Sequence, residues 1–155
     1  MMKKQVYTII LALIALGVTS CQKEETVASD LHAYTLDRTV LHEDWDFDEE
    51  TMQFYYHFDI QELTEKVYDY GNWTISREMN KGDKNAYQVA LPMSVFCTDT
   101  LEDSSVAYYT QHIDYRLGVG WLEIQLTNSD YWYPTTPDGK LVNPEDMYFR
   151  IQLIY

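Results

Sequence analysis

The chain has 155 residues and carries 25 acidic against 11 basic side chains, a formal charge of −14. A surface of that sign repels nucleic acid and anionic lipid headgroups, and suits neutral glycans, cationic peptides or divalent cations as partners. Its two cysteines, Cys21 and Cys97, provide no disulfide framework.

The first segment reads as an address. Lys3 and Lys4 precede a thirteen-residue apolar run from Val6 to Val18, which leads into Val18-Thr19-Ser20-Cys21-Gln22-Lys23-Glu24-Glu25. The run falls short of the roughly 20 residues that span a bilayer as a helix, but the three parts of a secretory signal are present. Val-Thr-Ser-Cys resembles a bacterial lipobox, and Gln22 to Glu25 resembles the Lys-acid-acid signal with which Bacteroidota sort lipoproteins to the outer face of the outer membrane. The resemblance implies lipidation of Cys21 and a cell-surface location. A diacylglyceryl thioether with an N-acyl chain exceeds the two membrane signals that stable anchoring needs. Residues 1–20 are then a signal peptide, 21–31 an acidic flexible tether without periodicity, and 32–155 a single β-domain. The mature 135 residues hold nine basic against twenty-five acidic side chains, a formal charge of −16, and suffice to bury one core.

From His32 onward, period-two alternation in segments rich in tyrosine, valine, isoleucine and threonine predicts strands. Tyr34, Leu36 and Val40 form the inward set of a first strand, which an acidic loop separates from a second, Met52-Phe54-Tyr56-Phe58. Ile60, Leu63 and Val67 then recur at three and four behind Asp59 and Glu62, a capping-box pattern that predicts one short helix near 60–70. Gly71 stands where such a helix takes a left-handed terminator. Trp73 and Ile75 open a third strand. Tyr87, Val89 and Leu91 mark a fourth, ended or forced to an edge by Pro92, with Met93 to Cys97 continuing it after a bend. Tyr109, Ile113, Tyr115 and Leu117 share one face of a long fifth, Leu122, Ile124 and Leu126 the core face of a sixth, and Phe149, Ile151 and Leu153 close the domain.

Short strands with turns about every ten residues and a single helix predict an all-β fold, an antiparallel β-sandwich. Immunoglobulin-like Greek-key connections are favoured, with a jelly roll as runner-up. The segment order resembles that of small Bacteroidota outer-membrane lipoproteins. The resemblance is carried by Asp44-Trp45, Thr64-Glu65 through Tyr70-Gly71, Leu91-Pro92, Ile113-Asp114-Tyr115, Gly120 through Leu122-Glu123-Ile124, and Phe149-Arg150-Ile151. It implies a fold and a location, and brings no catalytic residues.

Chemistry is sparsely marked. No zinc-protease helix motif and no nucleophile elbow occurs, and His32, His42, His57 and His112 are scattered singly, so a glycan-active enzyme is the least favoured function. Cys97, in an apolar run, reads as a small buried hydrophobe. Asp44, Asp46 and Asp48 alternate as hard-cation ligands do and make calcium the one candidate cofactor, although Glu49 and Tyr55 occupy the places where an EF-hand needs glycine and glutamate. Asp99-Thr100-Leu101 resembles a Bacteroidota O-glycosylation acceptor, with Thr100 as the modified residue.

Aromatic residues are the strongest candidates for recognition. If Leu122, Ile124 and Leu126 face inward, Trp121, Glu123 and Gln125 share the opposite face and place an indole beside hydrogen-bonding groups. The alternative is a tryptophan half covered by a neighbouring segment. Tyr131, Trp132 and Tyr133 open a long connection stiffened by Pro134, Pro137 and Pro144; they either present a second aromatic surface or fold back as a lid on the sandwich. These features predict a lipid-anchored, non-catalytic binding or accessory module for extracellular glycan. The alternative is a structural or protein-interaction subunit of a surface assembly, joined by strand addition.

Overall fold

A computed structural model of the chain describes residues 32–155 apart from Glu102 and Asp103. The signal segment, the tether and Cys21 lie outside the described residues, and Leu31–Tyr155 form one compact unit. Among the described residues the alternating segments form nine strands in two antiparallel sheets. Strands β1 (Ala33–Val40), β4 (Asn72–Met79), β5 (Tyr87–Ala90) and β9 (Met147–Ile154) make a four-stranded sheet in the order β1-β9-β4-β5. Strands β2 (Asp46–Asp48), β3 (Gln53–Asp59), β6 (Met93–Thr100), β7 (Val106–Gly118) and β8 (Trp121–Asn128) make a five-stranded sheet in the order β2-β3-β8-β7-β6. The expected β-sandwich therefore forms. Its first strand pairs with its last, whereas the immunoglobulin order sets the first strand beside the second.

The core is built by two combs. Leu122, Ile124 and Leu126 of β8 and Met147, Phe149, Ile151 and Leu153 of β9 are each at most 2 % exposed, because successive side chains alternate between the faces of a strand. Burying each is worth about 1.5–3 kcal/mol. Strand pairing extends both combs: Phe54 and Ile113 flank Leu126, and Ile75 and Leu36 flank Ile151. The inward set expected for the first strand holds at Leu36 and Val40 but not at Tyr34, which is 44 % exposed and stacks on Tyr155.

Three local readings are corrected. The loop expected between the first two strands contains β2, whose Phe47 lies opposite Phe54 and meets its ring edge-on at 4.9 Å; three residues are too few for alternation to register. Just before it, the Trp45 indole is 4 % exposed and its N–H has no hydrogen-bond partner among the described residues. The helix, α1 (Glu65–Tyr70), starts later than Asp59 and Glu62 suggested. Asp59 ends β3, and the capping side chain is Thr64, whose Oγ1 accepts from the Val67 amide at 3.4 Å. Ile60, Leu63 and Val67 are buried as expected, but the first two lie in the turns that precede the helix. Finally, Pro92 marks a change of sheet: the chain leaves β5 in the four-stranded sheet and enters β6 in the five-stranded one, since a residue without an N–H cannot continue the ladder.

Gly71 caps α1 with extended rather than left-handed backbone, φ −85°. Space explains the glycine, because a Cβ there would lie 2.5 Å from the Val67 carbonyl oxygen and 3.0 Å from that of Ile154. Gly71→Ala is expected to lower stability by about 1–3 kcal/mol, as overpacking does, through separation of the helix end from β9. Urea denaturation of the variant checks this; an unchanged midpoint would show that the two backbones can move apart without cost.

Candidate functional site

The inward comb of β8 forces Trp121, Glu123 and Gln125 onto the outer face of the five-stranded sheet. Strand register then supplies their neighbours: Asp59 and Gly118 flank Trp121, His57 and Arg116 flank Glu123, and Tyr55 and Asp114 flank Gln125. The Glu123 carboxylate, 14 % exposed, is the hub. Its Oε1 accepts from Arg116 Nε at 3.2 Å, from Arg116 Nη2 at 2.5 Å and from Gln125 Nε2 at 3.0 Å. The Arg116 side chain is 63 % exposed, so the pair contributes little to stability, but it orients both the guanidinium and the carboxamide. Trp121 lies over Gly118, where an added Cβ would come within 2.6 Å of the indole nitrogen, and stacks with His57 at 5.6 Å. Bare backbone beneath the ring is what lets an indole lie across the strand.

Beside this platform an open cleft of about 520 Å³ runs between the β2–β3 turn and β8, lined among others by Asp48, Gln53, Tyr55, Arg116, Glu123 and Gln125. That volume is within the range of small-ligand sites, in which a few placed polar groups set orientation. Its lining mixes two aromatic rings, Phe47 and Tyr55, with two carboxamides, carboxylates and a guanidinium, and these polar groups bond neutral hydroxyls as donors and acceptors.

The second aromatic candidate is placed differently. Tyr133 is 7 % exposed and belongs to the core, edge-on to Phe47 at 5.4 Å and Phe54 at 5.6 Å. Its hydroxyl donates to the Met52 carbonyl oxygen and accepts from the Asn128 amide at 3.4 Å. Trp132 is half-buried and packs against Tyr109 at 4.9 Å. Tyr131 ends a 3-10 turn (Ser129–Tyr131), and its side chain lies outside the described residues. Trp121 and Trp132 therefore sit at opposite ends of β8, an eight-residue strand about 26 Å long. They share no groove, and the described rings of the connection fold back as a lid. The lid is held by a hairpin at its tip, with the Val142 amide donating to the Pro134 carbonyl at 2.9 Å, and by Asn143 Nδ2 donating to the His42 carbonyl at 2.9 Å.

Under this lid lies a cleft the sequence did not signal. It encloses about 590 Å³ between the inner face of β6 and β7 and the connection, and its lining includes Cys97, Asp99, Tyr109, Gln111, Asn128 and Glu145. Cys97 is half-buried rather than buried; alternation turned it inward, but the lid and not the opposite sheet covers it. Burial, with the Glu145 carboxylate next in effect, pushes its thiol above the ordinary cysteine value. Burial and the neighbouring Cys97 likewise push the Tyr109 phenol up. Glu145 is held by Arg77, which β4 turns inward where it is 5 % exposed; Nη2 to Oε1 is 2.6 Å.

The remaining candidates are dispersed. Asp44 Oδ2 accepts from the Leu41 amide at 3.3 Å, Asp46 lies opposite Tyr55 on β2, and Asp48 closes its own turn by accepting from the Thr51 hydroxyl at 2.8 Å and the Glu50 amide at 2.9 Å. Those bonds hold the Asp48 carboxyl below its usual range. Among the described residues no three histidine, cysteine, aspartate or glutamate side chains converge on a point that would hold a metal ion, so the calcium site expected from the alternation is not assembled. Thr100 ends β6 and is exposed. Ser94 Oγ and His112 Nδ1 approach to 2.8 Å across β6 and β7, a nucleophile–base spacing, but neither residue lines either cleft. No family model, curated protein or solved structure matches this chain.

The raised thiol value has a direct readout. Alkylation requires the thiolate, so the rate at Cys97 in the folded domain should rise with pH at a midpoint above that of free cysteine measured alongside, and revert to the free value in urea. A midpoint at or below the free value would mean that the cleft is open to solvent and the lid does not cover the thiol.

Proposed function

We propose that this chain is a lipoprotein anchored through Cys21 at the cell surface and that its domain is a non-catalytic binding module for extracellular glycan, with the outer face of the five-stranded sheet as its binding face. The observation that carries this is the cluster centred on Glu123. One carboxylate oxygen aligns Arg116 and Gln125 beside Tyr55 in an open cleft, with the Trp121 indole further along the same face. Sugar rings offer hydroxyls to such polar groups and CH faces to aromatic ones. A neutral ligand also suits a chain whose strong negative charge repels polyanions. The Bacteroidota-type lipobox and acidic export signal support tethering at the outer membrane, and the exposed Thr100 is a candidate O-glycan acceptor within the same account.

The core cluster and the partly buried residues packed against it are contained between Leu36 and Tyr155, so a chain beginning at residue 22 retains all of it. On a glycan array this soluble chain is expected to give specific hits, weakened about tenfold or more by Gln125→Ala or Arg116→Ala, the loss expected when a placed hydrogen-bonding group is removed, with unchanged melting temperature. An array without hits, or hits that survive both substitutions and Trp121→Ala, would exclude this face as a glycan site.

A further inference from the structure

The four sheet edges among the described residues are unequal. β2 has three residues and β5 four, and β1 carries the charged pair Asp37 and Arg38. β6 has eight residues, Met93-Ser-Val-Phe-Cys-Thr-Asp-Thr100, with no lysine, arginine or proline and a single charge at Asp99. An edge strand of this kind offers a row of backbone donors and acceptors that fits another strand. On the outward face of this edge, Phe96 of β6 and Tyr108 of the adjoining β7 are 69 % and 68 % exposed and stack at 5.9 Å, with Val106 of β7 also exposed. On its inward side the 590 Å³ cleft is lined by four consecutive residues, Cys97 to Thr100. Consecutive residues point to both faces of a strand, so the cleft reaches the β6 backbone as well as its inward side chains.

We propose that β6 is a strand-addition site for an extended, basic segment of a partner polypeptide, separate from the outer-face glycan site. Main-chain bonds to β6 supply affinity, and alternate side chains of the added strand enter two different surroundings. Outward ones lie beside Phe96 and Tyr108. Inward ones enter the cleft at Asp99 and Glu145, where a lysine or arginine finds carboxylate acceptors: Asp99 Oδ1 takes the Thr100 amide at 2.8 Å and Glu145 Oε1 takes Arg77, while the Glu145 side chain remains 74 % exposed. The inward Asp99 opposes strands that bring no positive charge. It also opposes pairing between two copies of this chain, whose net charges of like sign repel.

The test uses the chain from residue 22 and labelled heptapeptides of alternating valine and lysine, the same peptide with alternate backbone amides N-methylated, and a valine–glutamate counterpart. Fluorescence anisotropy should show binding of the lysine peptide alone, with amide exchange slowed across residues 93–100. Asp99→Asn should weaken it about tenfold, as loss of a charge-assisted bond does, without changing the melting temperature. Equal binding of the N-methylated peptide would reduce the effect to charge and overturn the proposal. So would absence of binding, protection at another segment, or concentration-dependent self-association that protects β6, which would make a second copy the occupant.

Discussion

The single core to which β8 and β9 each contribute a row of buried apolar side chains is the constraint from which the rest of the molecule follows. Each is an interior strand of its sheet, β8 between β3 and β7 and β9 between β1 and β4, and each turns an unbroken row of apolar side chains toward the other sheet. With a period of two there is no freedom left for the intervening residues: they face solvent. The same comb that seals the core therefore assembles Trp121, Glu123 and Gln125 into one outward row, and the strands on either side contribute Tyr55, His57 and Arg116 at fixed spacing. The candidate binding face is a by-product of core packing rather than a feature of a loop.

The link between β8 and β9 carries the second consequence. These strands lie in different sheets, so residues 129–146 must cross the open end of the sandwich. The connection lays Tyr133 into the core against Phe47 and Phe54 and rests Trp132 on Tyr109. Sheet-to-sheet packing does not reach the far ends of β6 and β7; the lid covers them and leaves the cleft around Cys97. Fold and cleft are thus one outcome of a chain that changes sheets between its two best-packed strands.

Much of this is legible in the sequence because alternation is a local signal. Period two alone groups Phe54 with Phe58, Ile113 with Tyr115 and Leu117, and Phe149 with Ile151 and Leu153 on single strand faces, puts Leu122 through Leu126 on the core face, and leaves the outward set that includes Trp121 by parity. What was not legible depends on contacts distant along the chain. β2 was hidden because three residues cannot display a period and Phe47 is partly buried through contacts with Phe54 and Tyr133, which are distant along the chain. Thr64 was missed as the helix cap because Ile60 and Leu63 imitate helical spacing while lying in turns. Tyr133 could not be assigned to core or surface without knowing that Met52 and Asn128 would meet its hydroxyl. The acidic alternation at Asp44, Asp46 and Asp48 suggested a cation site, but the turns in which two of these residues sit use the carboxylates as caps.

The two clefts divide the surface chemistry. One is an open platform of aromatic and hydrogen-bonding groups on a sheet face, the other a lidded space with a thiol, a phenol and carboxylates at a strand edge. On the proposed tether, such a division would leave one face for a glycan and one edge for a neighbouring polypeptide. The claim on which this account turns is that the outward row of β8 is the glycan-contacting surface. Amide chemical-shift mapping of the soluble domain, titrated with whichever glycan it retains, tests it most directly. The account predicts shifts confined to Tyr55, His57, Arg116, Trp121, Glu123, Gln125 and their immediate neighbours, with the amides of β9 undisturbed. Shifts centred instead on Cys97, Tyr109 and the 134–145 connection, with the β8 face silent, would contradict it.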